Sequence, residues 1–160
     1  MSDSTMKMLL LRIVAELRDR EHGIFPVVGP IAIVDAEGIL PNRAQLPFIT
    51  ITEGGIEHVP ETNVEMALTL RFTVWVYQVL VTSPDATVMG AGAALGLLDL
   101  TQRVYDALNA NLLSNNYLSL FCTAELPCEK VEIGGPDGEI VRLLFRRGLT
   151  FEATLELSEE

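Results

Sequence analysis

From residue 68 the chain alternates: Leu68, Leu70, Phe72, Val74 and Val76 stand at every second position, the period of a β-strand with one face on a core. The intervening residues Thr69, Arg71, Thr73, Trp75, Tyr77, Val79 and Val81 mix polar groups with large apolar ones. A strand over 66–81 thus has one face for the core and a second whose covering is unexplained. Residues 46–53, "LPFITITE", show the same period, as does the stretch from 149, where Leu149, Phe151, Ala153, Leu155 and Leu157 oppose Thr150, Glu152, Thr154 and Glu156. Gly148 stands where this alternation changes phase, so a bulge or bend is expected there. "LSLFCTAEL" (118–126) and "EKVEI" (129–133) read as one interrupted strand, followed by the turn signal "GGPDGE". "IAIVD" (31–35) reads as a short edge strand in a segment punctuated by Pro26, Gly29, Pro30, Gly38 and Pro41.

Two segments switch to the helical period. Met6, Leu9, Leu10, Ile13, Val14 and Leu17 recur at three- and four-residue steps behind the possible N-caps Ser2 to Thr5, with Arg12, Glu16, Asp19 and Arg20 opposite. Leu97, Leu100, Val104, Leu108 and Leu112 form a second stripe. The order helix, strands, helix, strands predicts an α+β fold: a single mixed or antiparallel sheet of about four to five strands, with two amphipathic helices packed on one face. "EGGIEHVPETNVE" predicts a protruding loop around 53–65. At 160 residues the chain is expected to be one domain with its own core.

Charge narrows the function. With 11 basic and 22 acidic residues the net charge is −11, which argues against tight nucleic-acid binding, since that needs Lys and Arg on phosphates. Acid gathers at Asp35, Glu37, Glu53, Glu57, Glu61 and Glu65, opposed there only by Arg43. No apolar run is long enough for a membrane helix, and charges interrupt the apolar N-terminal stretch. The expectation is a protein that stays in the compartment where it is made. Cys122 and Cys128, with only His22 and His58 as further soft ligands, predict reduced structural thiols and no metal centre.

Motifs for chemistry are missing. "GAGAALG" (90–96) is spaced G-x-G-x-x-x-G and lies far behind the strand, so it fits close helix packing better than a dinucleotide loop. No nucleophile elbow, metalloprotease motif or ordered triad is present. The expectation is a non-enzyme without cofactors. The second face of the long strand is then the candidate site. If both helices cover the even-numbered side, Trp75, Tyr77, Val79 and Val81 need another cover. Either the C-terminal strand or the 25–47 segment folds over them, or a second copy does. Self-association predicts a subunit interface of Arg71, Thr73, Trp75, Tyr77, Arg146 and Arg147, the arginines pairing with a neighbour's carboxylates.

The whole order also resembles a known family. An N-terminal helix, a Pro-rich stretch, "LPFITITEGG", an acidic loop, "ALTLRFTVWV", "LLDLTQRVYDALN" and "DGEIVRLLFRRGLTFEATLEL" resemble the tail-completion, or tail-terminator, proteins of tailed bacteriophages over residues 5–157. The resemblance implies a virion structural protein, assembled in the host cytoplasm into a ring, commonly a hexamer. Such a ring caps the last ring of the tail tube protein, stops polymerisation and meets the head–tail connector or stopper. It implies a small α+β sheet with helices on one side, and DNA that passes through without specific binding. Glu53, Glu57, Glu61 and Glu65 would then face the lumen or the tube, where acid keeps DNA from sticking. Another head–tail joining or neck protein is the nearest alternative; a small non-viral ligand-binding regulatory oligomer is the alternative from a different class.

Overall fold

The computed structural model describes residues 4–20, 27–30, 47–60, 65–79, 84–90, 95–113, 117–134, 137 and 140–158. The elements run α1 (Thr5–Arg20), β1 (Val27–Pro30), β2 (Phe48–Pro60), β3 (Glu65–Val79), α2 (Pro84–Met89), α3 (Leu97–Leu108), β4 (Ser119–Glu125), β5 (Glu129–Gly134) and β6 (Ile140–Ser158). The fold is α+β.

One mixed sheet carries the strands in the order β1-β2-β3-β6-β4, with β5 also on β6. β1 is parallel to β2 and the other pairings are antiparallel. β4 pairs with residues 149–154 of β6 and β5 with residues 140–146. The two short strands therefore share one lane beside β6, broken at Leu126–Cys128, as the interrupted pattern predicts. Six strands fill five lanes. β3 and β6 form the spine, paired without a register break from Glu65↔Ser158 to Val79↔Leu144.

α1 and α3 cover one face, hereafter the near face. Its core takes Leu9, Ile13 and Leu17 of α1, Leu100, Val104 and Leu108 of α3, and the even residues Leu68 to Val76 of β3. Residues directly opposite in an antiparallel pair share a face, so Ile49 and Ile51 (β2) and Leu149, Phe151 and Ala153 (β6) join them. At the centre Phe72 and Phe151 stack across the spine, ring centres 5.4 Å apart.

Local chemistry sets the helix ends. The Ser4 hydroxyl accepts the Lys7 N–H at 3.0 Å and caps α1. α3 stops at Leu108: the Asn109 side-chain oxygen accepts the Cys122 N–H, and Ala110 N–H donates to Leu120 O, tying this end to β4. Arg12 and Glu16 lie on the flank of α1, where Arg12 donates to Leu113 O and Glu16 accepts from Asn111. The outward side of α1 carries Met8 and Leu11 instead, 57% and 49% exposed.

Several expectations need correction. Residues 53–60 are strand, not loop. Gly148 holds its place opposite Trp75 in an unbroken register, so no bulge interrupts β6 against β3. The glycine is needed because the Trp75 ring lies against it: a Cβ there would come within 2.7 Å of the indole. Gly96 precedes α3 rather than lying inside it, and its Cβ would strike the backbone of Val88–Gly90 at 2.3–2.6 Å. The small residue thus lets the end of α2 cross the start of α3. Residues 31–35 lie outside the described residues, and Leu112 lies beyond the end of α3.

Candidate functional site

The far face of the sheet, away from α1 and α3, is built in rows by the strand registers. Thr69 of β3 lies between Glu57 (β2) and Thr154 (β6), with Ser119 (β4) beyond. Arg71 lies beside Glu152 and Phe121, and Thr73 between Thr52 and Thr150. Next come Thr50–Trp75–Gly148 and Phe48–Tyr77–Arg146–Glu129. Among the described residues no helix packs on these rows.

Glu57 is in its row because of a bulge. Glu53 opposes Phe72, but Ile56 opposes Leu70, so β2 holds one extra residue at Gly54–Gly55. Gly55 takes φ +96, and a Cβ on Gly54 would lie 3.1 Å from the Arg71 backbone and Cβ. Without the extra residue Glu57 would point to the near face. With it, Arg71 clamps two carboxylates, Nη2 to Glu57 at 2.8 Å and Nε to Glu152 at 2.9 Å. These bonds, Glu57 first, raise the arginine's pKa further above its already high value. Glu53 and Glu57 consequently face opposite sides of the sheet and do not form one acidic surface. Glu61 and the side chain of Glu65 lie outside the described residues.

Toward β5 the far face closes on itself. Phe48 and Tyr77 stack at 4.6 Å and form a small buried cluster with Leu144, and Trp75 and Val131 pack against it. Tyr77 is 2% exposed, which removes it from any outward patch. Trp75 is half-buried: Gly148 lies under the ring, the Arg146 guanidinium 4.1 Å from its centre, and its N–H reaches Thr52 at 3.3 Å. Arg146 also donates to Tyr77 Oη and to Glu129. The expected broad apolar patch around Trp75 and Tyr77 is therefore absent among the described residues, because Tyr77 is buried and the chain's own Arg146 and Gly148 pack against the indole. The Val79 side chain and Val81 lie outside them.

Arg147 belongs to the other side. It opposes Val76, and its guanidinium donates to Thr101 Oγ1 of α3 at 2.6 Å, with Glu125 at 3.8 Å. Odd and even positions of one strand cannot share a face, so Arg146 and Arg147 cannot both serve one interface. Of the six expected interface residues, Arg71, Thr73, Trp75 and Arg146 share the far face with some exposure. Phe121, 50% exposed beside Glu152, belongs with them and was missed, since a lone Phe in a short strand carries no signal until its register is known.

Both thiols face the core side, where burial pushes their pKa up and Arg147 pulls it back. Among the described residues no group of three or more His, Cys, Asp or Glu could hold a metal ion, and no helix is long and apolar enough to cross a membrane. No protein-family model and no curated protein matches this chain.

Proposed function

We propose that this chain is a ring-forming structural protein of a phage head–tail junction, a tail terminator without catalysis. The observation that carries the reading is the partly exposed band of the far face, rows of Thr69, Arg71 and Thr73 with Thr154, Glu152 and Thr150, beside the exposed Phe121. A stiff spine of 15- and 19-residue strands presents these side chains where no described helix covers them. Arg71 and Phe121 are of residue types that subunit interfaces favour. The element order, shared with the resemblance described above, supplies the class of assembly.

In this reading the ring caps the tail tube, stops its polymerisation and presents its other rim to the connector. The contact centres on Thr73, Arg71 and Phe121 rather than on the Trp75–Tyr77 end. Light scattering and negative-stain micrographs of purified protein test it: rings of several subunits are expected, and addition to polymerising tube protein should shorten the tubes. A monomer at every concentration that leaves tube length unchanged rejects the reading.

A further inference from the structure

β4 is the last strand in the sheet order, with β6 on its inner side. A strand in that place presents a row of backbone donors and acceptors on which a strand of another chain can pair. Here the end of α3 meets that row. Leu120 O accepts the Ala110 N–H at 2.7 Å, and the Cys122 N–H donates to Asn109 Oδ1 at 2.9 Å. The two bonds straddle Phe121, which is paired with Glu152 of β6. One N–H for a carbonyl, and one oxygen for the amide two residues on, is what a single residue of a parallel neighbouring strand supplies. Asn109 and Ala110 together imitate that residue, Asn109 through its side chain.

Helix termination alone does not account for this arrangement. Ala110 takes φ 62, a left-handed conformation uncommon for a residue with a Cβ. At a helix end such a residue usually returns its N–H to a helix carbonyl. Asn109 and Asn111 do so, bonding Tyr105 O and Leu108 O, but Ala110 turns to the strand. Ala110 is exposed, so burial does not impose its conformation. The turn is also braced against α1: Asn111 donates to Glu16 and accepts from the Leu113 N–H, and Arg12 donates to Leu113 O.

We propose that this turn is an edge guard: Asn109 and Ala110 hold the place of a further strand and keep β4 from pairing with β4 of a second copy. The strand itself carries little else to prevent that pairing. "SLFCTAE" has no Lys and no Pro, and its one charge is Glu125 at the end, whereas natural edge strands are usually blunted by such residues. An identical edge is also the partner always at hand, since two β4 strands can meet antiparallel about a two-fold axis. The guard does not rest on the ring reading. It concerns backbone groups at the side of the sheet, not the side chains of the far face.

The test compares the native chain with Asn109→Ala and the milder Asn109→Ser, which remove the acceptor, and with Asn109→Asp, which keeps an oxygen in its place. Amide hydrogen exchange at Cys122 and light scattering over a concentration series are read on all four. Without the acceptor, exchange at Cys122 should quicken by about tenfold or more, and species larger than any the native chain forms should grow with concentration. Asn109→Asp should match the native chain in both measurements. Faster exchange with a native size distribution overturns the guard, and so does Cys122 protection that survives loss of the acceptor. Larger species from Asn109→Asp as well would assign them to something other than the lost bond and count against it equally. If the Ala and Ser variants lose their cooperative melting transition while Asn109→Asp keeps it, the bond is a structural prop and the guard fails. The native chain's own state, ring or monomer, bears only on the ring reading, because the guard is scored by the difference between variant and native.

Discussion

A methyl group at position 148 would sit 2.7 and 2.8 Å from the Trp75 ring and 3.0 Å from Leu126 Cδ1. Both neighbours are side chains and can give way, so Gly148→Ala is expected to lose roughly 1–3 kcal/mol rather than unfold the chain. Trp75 is the chain's one tryptophan, so the displaced ring should also change the emission maximum. Urea unfolding followed by fluorescence checks both; an unaltered midpoint and spectrum would mean that the ring does not lie on the glycine. Gly96→Ala meets backbone at 2.3–2.6 Å instead, which no rotamer change relieves, and should cost about 3 kcal/mol or more in the same experiment. The half-buried thiols add a pH dependence. Burial raises their folded pKa above the ordinary thiol value, so the folded state resists losing protons that the unfolded chain gives up. Their contribution is complete below the ordinary thiol range and lost as pH rises through it toward the folded values. Stability measured into the alkaline range should fall more steeply for the native chain than for Cys122→Ser with Cys128→Ser.

Helix α3 and strand β6 are joined by a polar bond in an apolar layer. Thr101 Oγ1 donates to Leu97 O at 2.8 Å and accepts from Arg147, whose side chain is 15% exposed. Thr101→Val preserves shape but leaves that guanidinium without its 2.6 Å partner. The expected loss is about 1–3 kcal/mol by calorimetry, and Thr101→Ser should recover much of it. At this scale the sequence was informative where one period ran unbroken. The near-face stripes of α1, α3, β2, β3 and β6 were all legible, because burial on one face forces regular spacing. The bulge at Gly54–Gly55 was not: "EGGIEHVP" has loop composition, and only pairing with β3 holds it extended. The same register error hid the Glu57–Arg71 bond. Arg146 and Arg147 looked equivalent only until strand parity placed them on opposite faces.

The described residues form two layers, one sheet and the helices on it, with one aromatic pair at the centre. Phe72 and Phe151 join the two longest strands under both large helices and are fully buried. Phe151→Ala should therefore remove roughly 3–5 kcal/mol, a large share of the stability such a domain has, and thermal denaturation should show it directly. The architecture could be read from element order, since two amphipathic helices can cover only one side of a sheet. The covering of the other side could not. It depends on Arg146 and Gly148 of β6 and on Trp75 and Tyr77 of β3, some seventy residues earlier, which meet only once the two strands pair.

That pairing has a consequence for synthesis. β6 follows every other described element in chain order, yet its lane lies between β3 and the β4–β5 lane. Until β6 is made, β3 has a bare rim, and β4 and β5 have no strand to pair with. The nascent chain must then shelter half a sheet until residues 140–158 emerge and slide between the waiting strands. The sheet therefore cannot be completed progressively from the first residue onward, and a product lacking β6 would leave strand edges and core surface uncovered.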